Sequence, residues 1–252
     1  MNIILIENSD LIESHKAQLE GRRASHIIKV IKAEIGDKLR VGIIDGQLGE
    51  ALVTDISRCR VELELNLTHA APAALPVILI MALPRPKVLK RVLSSAITMG
   101  VKKIFLFNSW RVEKSYWQTP LLTPDKLNEI SLTALEQAVD TILPEIILKP
   151  RFRPFAEDEV PILARDRNAL ILHPYTEKPA TTLTKAATAQ RPESALIAIG
   201  PEGGFIPFEV EMLMAAGLKP LTLGPRILRV EQAVPSALAH FLKTSTNYFK
   251  DK

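Results

Sequence analysis

The first feature suited to chemistry is a glycine-rich loop that follows a buried-strand pattern. The apolar run Ala195–Ile199 ends at this loop, and Pro207 just beyond it suits the first turn of a helix. Glycine lets the backbone take positive φ and approach a ligand closely. Ligands of open α/β sheets bind outside the carboxyl ends of strands, where this loop lies. A tight strand-to-helix turn is the alternative. The loop residues are Gly200, Pro201, Glu202, Gly203 and Gly204.

The chemistry of this loop differs from that of the common nucleotide loops. Its glycine spacing is neither the GxGxxG of dinucleotide-binding folds nor a phosphate-binding loop ending in Gly-Lys-Ser/Thr. Glu202 would repel a pyrophosphate. An acid among glycines instead favours a ligand that carries hydroxyl groups or positive charge.

A second candidate segment follows the strand-like residues 221–223. Arg226 and Arg229 flank the apolar residues 227–228, and Glu231 begins the last predicted helix. Two arginines on an apolar turn beside Gly224 favour a binding site. The alternatives are ordinary surface charge for the arginines and a helix-capping role for Glu231, since an acid is favoured at a helix N-terminus.

Positive charge is concentrated in the middle of the chain. Residues 1–70 hold nine Lys or Arg and eleven Asp or Glu, although the whole chain carries +4. Between Glu64 and Glu113 there is no acid. A stretch of one sign attracts polyanions such as RNA, although a solvated surface would look the same. The bases in this gap are Arg85, Lys87, Lys90, Arg91, Lys102, Lys103 and Arg111.

Two patterns of elements position these residues. Residues 21–67 alternate apolar and polar with turn dipeptides between, which predicts a small β-rich unit with a short helix over 25–32. Residues 69–76 have the composition of a linker. From residue 77, strands and helices alternate, which predicts a mostly parallel sheet covered on both faces. The predicted strands are 77–83, 103–107, 145–148, 169–172, 195–199 and 221–223, and the helices are 87–99, 123–139, 207–216 and 231 onward.

Composition excludes several classes of protein. Apolar residues make up 47% of the 252 residues, which is enough for a real core. The single Cys59 allows neither an internal disulfide nor a cysteine metal cluster, so no metal is expected. The first fifteen residues carry acids where a secretory signal would be basic, and no apolar run is long enough to cross a bilayer. We therefore expect a cytoplasmic protein with no membrane partner.

The two candidate segments also resemble a known family. Residues 199–205 (IGPEGGF) and 223–233 (LGPRILRVEQA) are similar to the ribosomal RNA small subunit methyltransferase E family of the SPOUT superfamily. Residues 23–46, residues 82–101 and the Glu136-Gln137 pair followed by residues 143–145 are similar as well. The resemblance therefore covers nearly the whole chain.

This resemblance implies an α/β fold, a cofactor and an assembly. The expected fold is a C-terminal SPOUT domain with a deep trefoil knot over residues 76–252, preceded by a PUA-like RNA-binding β-barrel over residues 1–70. The cofactor is S-adenosylmethionine, and the assembly is a homodimer. The implied cofactor contacts are Leu172, His173, Gly200, Pro201, Glu202, Gly203, Gly204, Leu223, Gly224, Ile227 and Leu228.

The implied reaction is methylation of N3 of a uridine in 16S rRNA of the 30S ribosomal subunit. N3 is a poor nucleophile until it loses its proton, and negative charge then grows on O2 and O4. Arg229 is the candidate for stabilising that charge, because a guanidinium matches paired carbonyl oxygens. Glu231 either accepts the proton or holds Arg229. The candidate RNA contacts are Arg23, Arg85, Lys87, Lys90, Arg91 and Arg111.

Two other functions stay open at this point. Gln232 stands where the family usually has threonine, so a non-catalytic RNA-binding protein with the same fold is one alternative. Methylation of a ribose 2′-hydroxyl, as in sibling SPOUT families, is the other.

Overall fold

The computed structural model describes residues 2–173 and 194–242. Its contacts divide these residues into two compact units. The first unit contains residues 2–73 and 132–143, and the second contains residues 74–131, 144–173 and 194–242. Residues 132–143 thus pack with the first unit, although the sequence places them within the second predicted domain.

The first unit is built on a six-stranded sheet in the order β1-β4-β5-β6-β3-β2. Strands β1 and β4 are parallel, and the remaining neighbours are antiparallel. Alternate apolar side chains of these strands form one core with Ala24 and Ile27. No ladder joins β1 to β2 within the described part of the chain, so the predicted closed barrel stays a prediction. The strands are β1 Ile4–Ile6, β2 Leu11–Glu13, β3 Lys16–Leu19, β4 Lys38–Ile43, β5 Leu48–Ile56 and β6 Val61–His69.

Two partly buried ion pairs connect the helical part of the first unit to other segments of that unit. Helix α1, Gly21–His26, continues into a π-helical turn over Ile27–Ile31 and begins before the predicted residue 25. The Arg23 guanidinium donates to both carboxylate oxygens of Asp10, at 2.6 and 2.9 Å. Arg22 likewise bridges to both oxygens of the buried Glu136, at 2.6 and 3.1 Å. Glu136, part of the family-like Glu-Gln pair, therefore has a structural role in this unit.

The second unit contains the predicted parallel sheet. Its order is β12-β10-β11-β7-β8-β9, and every pair is parallel. The last strand pairs with β10 over Lys219–Leu221, two residues earlier than the predicted 221–223. It ends there because the Thr222 hydroxyl donates to the Gly224 carbonyl at 2.9 Å and turns the chain. The strands are β7 Val77–Ala82, β8 Lys103–Phe107, β9 Glu145–Lys149, β10 Asn168–Leu172, β11 Ala195–Ile199 and β12 Lys219–Leu221.

The helices of the second unit follow the predicted pattern with one addition. The apolar side of α2 is buried, including Leu89 and Leu93, and Gly100 beyond its end has φ +91°. A helical stretch over residues 152–164 was not predicted, because Pro154 and Pro161 interrupt its pattern. No helix among the described residues is long and apolar enough to cross a membrane. The helices are α2 Pro86–Thr98, α3 Pro124–Ala138 (which ends in the first unit), α4 Phe152–Pro154, α5 Val160–Ala164, α6 Pro207–Ala215 and α7 Val230–Ala239.

Candidate functional site

A cleft of about 700 Å³ lies at the carboxyl ends of β10, β11 and β12. These neighbouring strands are parallel, so the loops that follow them meet at one edge of the sheet. Both candidate segments of the sequence lie here. The cleft residues from the loops are Leu172, His173, Gly200, Pro201, Glu202, Gly203, Gly204, Phe205, Thr222, Leu223, Arg226, Ile227 and Leu228.

The glycine loop after β11 needs glycine at two of its positions. A Cβ on Gly200 would lie 3.2 Å from both the ring and the backbone nitrogen of Phe205. Gly204 has φ +72°, a conformation that costs other residues about 1–2 kcal/mol. The ring of Phe205 is buried and stacks on Phe107 of β8, with centroids 6.1 Å apart. The loop is therefore anchored to the core, with its backbone facing the cleft.

The buried carboxylate of Glu209 joins the glycine loop to the turn after β8. It accepts hydrogen bonds from the Ile206 backbone at 3.1 Å, the Trp110 backbone at 2.8 Å and the Ser109 hydroxyl at 3.1 Å. Glu209 is only 2% exposed. Glu209 is not among the residues that the sequence patterns single out. The available signal was its position three residues after Ile206, where a glutamate side chain can cap its own helix.

Two further contacts bring basic loops to the glycine loop. The Arg111 guanidinium donates to the carbonyl of Gly203, and Arg111 lines the cleft. The backbone nitrogen of Arg85, before α2, donates to the Glu202 carboxylate at 3.0 Å. The segment with the longest acid-free run thus borders the cleft.

The segment after β12 places its two arginines differently. Arg226 lines the cleft, whereas Arg229 is the exposed N-cap residue of α7 and does not line it. Glu231, in the first turn of that helix, pairs with Arg91 of α2 at 3.3 Å. The expectation that Glu231 holds Arg229 is therefore not supported by this geometry, because the carboxylate faces Arg91.

The expected cofactor residues come together, and the expected RNA contacts are divided between the two units. Every expected cofactor residue except Gly224 lines the cleft. Arg85, Lys87, Lys90, Arg91 and Arg111 are exposed in the second unit. Arg23 belongs to the first unit, where Asp10 binds it and its side chain is 17% exposed.

His173, at the end of β10, is a titratable residue of the cleft, and its surroundings shift its pKa. Partial burial removes water from the imidazole and lowers its pKa from the ordinary value, which favours the neutral ring. Its backbone nitrogen donates to the Leu221 carbonyl at 2.9 Å, which ties β10 to β12 beside the cleft. In the described residues, no three His, Cys, Asp or Glu side chains are placed to hold a metal ion.

Comparison with known proteins identifies the family. Residues 71–242 match the family model of the RNA methyltransferase domain. The ribosomal RNA small subunit methyltransferase E of Treponema pallidum is 31% identical to this chain, over 95% of the chain and 90% of the relative. The chain belongs to the ribosomal RNA small subunit methyltransferase E family. A second family member, from Borreliella burgdorferi, is 24% identical over 94% of the chain and 95% of the relative.

A solved structure of this family has the same fold. The ribosomal RNA small subunit methyltransferase E from Neisseria gonorrhoeae, bound to S-adenosylmethionine, matches with a TM-score of 0.72 at 21% identity, covering 95% of each chain. Within the present chain, the glycine loop and the segment after β12 carry the family resemblance, and both border the same cleft.

Proposed function

We propose that this protein methylates N3 of a uridine in 16S rRNA of the small ribosomal subunit, with S-adenosylmethionine as the methyl donor. The observation that carries the proposal is the cleft, which brings together the two segments that resemble the methyltransferase E family. Family membership and the cofactor-bound Neisseria structure support the same assignment.

The cleft residues fit S-adenosylmethionine by their chemistry. The cofactor has an adenine ring, ribose hydroxyls, an amino-acid group and a positively charged sulfonium. Apolar residues such as Leu223 and Ile227 suit the adenine ring, and the backbone of the glycine loop offers donors and acceptors to hydroxyls. The acids Glu202 and Glu211 suit a cationic ligand. When bound, the cofactor supplies an electrophilic methyl group. The proposed contacts are Leu172, His173, Gly200, Pro201, Glu202, Gly203, Gly204, Leu223, Gly224, Ile227 and Leu228.

The proposed catalytic residues lie where the segment after β12 passes into α7. Arg229 stabilises the negative charge that develops on O2 and O4 of the uracil as N3 loses its proton. Glu231 accepts that proton, and in the free protein its ion pair with Arg91 orients the carboxylate. Arg226 adds a second positive charge to the site, because it lines the cleft.

The proposed RNA surface is the exposed basic side of the second unit. Arg85, Lys87, Lys90 and Arg91 lie at or near the start of α2 and are exposed, and Arg111 stands beside the glycine loop. Arg23 is left out of this surface because its side chain is only 17% exposed and is bound by Asp10, whereas Arg91, although paired with Glu231, is 66% exposed. Residues 1–70 form the proposed PUA-like RNA-binding domain.

Topology supports the proposed trefoil knot. Strand β12 lies at the sheet edge beside β10, whereas the next helix, α7, packs against α2 and β11. Residues 222–229 must therefore cross the carboxyl ends of β10 and β11. The proposed knot lies in these loops.

We also propose a homodimer that acts in the cytoplasm. Exposed apolar side chains border the cleft, which suits burial against a second copy. Three of them line the cleft, namely Met214 (46% exposed), Ile227 (71%) and Leu228 (38%), and Phe208 (52%) follows the lining residue Pro207. Sedimentation equilibrium tests this assembly, since a monomer at micromolar concentration would contradict it.

The proposed roles are separated by two arginine variants. Unmodified 30S subunits are incubated with labelled S-adenosylmethionine, and methyl incorporation into 16S rRNA is measured beside cofactor affinity by calorimetry. Arg229→Ala should lower turnover by at least about tenfold with unchanged cofactor affinity, since it acts on the developing charge. Because Arg226 lines the cleft, Arg226→Ala should weaken cofactor binding. An equal loss of turnover and affinity in Arg229→Ala would contradict its assignment.

A further inference from the structure

Trp110 is an exposed aromatic residue on the turn after β8. It is 80% exposed, although its indole is among the largest apolar groups in the chain. Trp117, the other tryptophan, is partly buried and donates to Asn108 at 2.9 Å. Leaving an indole in water forgoes the stabilisation that burial would provide.

Hydrogen bonds and buried neighbours fix the backbone around Trp110, so the exposed position of its indole is a property of the turn. Its nitrogen donates to the buried carboxylate of Glu209 at 2.8 Å. Ser109 and Val112 on either side are buried, at 2% and 8% exposure, and the Val112 nitrogen donates to the Ser109 carbonyl at 3.0 Å. The same carboxylate binds the start of α6 beside the glycine loop.

The charges near Trp110 favour RNA over a protein partner. Its neighbour Arg111 lines the cleft and donates to Gly203. Arg85 donates through its backbone nitrogen to Glu202, the residue that precedes Gly203. Aromatic rings with arginines beside them are the usual means of holding an unpaired nucleotide, because the base stacks and the phosphate pairs with the cation.

We propose that Trp110 is a stacking platform for a nucleobase of single-stranded RNA next to the cofactor cleft. The proposal rests on the proposed function and names the side chain that holds the RNA near the reacting uridine. Glu209 is its positioning residue, since it fixes the turn against the glycine loop.

Fluorescence and affinity measurements test this role without requiring turnover. In a Trp117→Phe protein, Trp110 is the sole indole, and short single-stranded oligouridine should quench its emission. Trp110→Ala in the otherwise unchanged chain should bind oligouridine about 5- to 150-fold more weakly, from 1–3 kcal/mol per stacked base. Trp110→Phe should keep most of the affinity, because phenylalanine also stacks.

Matched controls separate stacking from other effects. Ile162→Ala removes a side chain that is 63% exposed on α5 and should leave oligouridine affinity unchanged. An abasic oligonucleotide of equal length should bind Trp110→Ala and the parent equally. The affinity for S-adenosylmethionine should also be equal in Trp110→Ala and the parent. If the parent itself binds no S-adenosylmethionine, the proposed function is refuted and not the stacking role. Equal oligouridine affinity of Trp110→Ala and parent overturns the platform. A lower oligomeric state in Trp110→Ala also overturns it, by assigning the indole to a protein interface.

Discussion

Replacing Glu209 with glutamine tests the link between the glycine loop and the turn after β8. The buried carboxylate accepts from Ile206, Trp110 and Ser109 through its two oxygens. Glutamine has one oxygen and one NH₂ group. One oxygen of Glu209 serves Trp110 and the other serves Ile206 and Ser109, so either orientation of the amide leaves a backbone N–H facing another N–H donor.

The size of the effect follows from that unsatisfied donor. A buried donor without an acceptor costs about 1–3 kcal/mol. Glu209→Gln should therefore lower the free energy of unfolding by about 1–3 kcal/mol, although it changes no apolar contact. It should also weaken S-adenosylmethionine binding, since the carboxylate bonds the Ile206 nitrogen next to the glycine loop.

Urea unfolding followed by tryptophan emission measures the loss in the relevant unit, because both tryptophans lie in the second unit near this turn. The matched control is Glu157→Gln, which breaks an exposed i,i+4 pair with Arg153 and should leave the unfolding midpoint unchanged. If Glu209→Gln unfolds at the same urea concentration as Glu157→Gln, the carboxylate does not hold the two loops together.

Two further predictions concern the cleft. Gly204→Ala (φ +72°) and the control Gly36→Ala (φ +97°) should each cost about 1–2 kcal/mol of stability. Calorimetry should show weaker S-adenosylmethionine binding only for Gly204→Ala. Equal affinity in both variants would contradict the role of the loop. The pKa of His173 is lowered in the fold, so the stability that its neutral ring contributes is complete above the ordinary value of 6.5 and is lost as pH falls through the lowered pKa. His173→Asn should therefore show a shallower loss of stability and cofactor affinity on acidification than the parent, and parallel pH profiles would refute this.

The second unit was predictable because each of its elements carries its own periodicity. The parallel sheet and the buried side of α2 follow from apolar spacing alone. In the first unit, strands β1, β2 and β3 were missed because each has only three or four residues, and β2 and β3 are also partly polar. The stretch at 152–164 was missed because its prolines resemble helix breakers.

The candidate site was predictable where glycine and proline mark a turn, and not where distant side chains meet. Glycines and the family-like motifs located the cleft loops. Glu209 and its partners Ser109 and Trp110 lie 100 and 99 residues apart in sequence, so only the fold brings them together. The pair between Arg91 and Glu231 likewise depends on the packing of α7 against α2, and it changes the partner expected for Glu231.

The most direct test of the proposed activity is nucleoside mass spectrometry of 16S rRNA from unmodified 30S subunits, incubated with this protein and S-adenosylmethionine. We expect new 3-methyluridine that is absent when the protein or the cofactor is omitted. A methyl group on a ribose would instead assign a 2′-hydroxyl activity. No methylated nucleoside, together with no cofactor binding by calorimetry, would contradict the methyltransferase assignment and favour a non-catalytic RNA-binding protein.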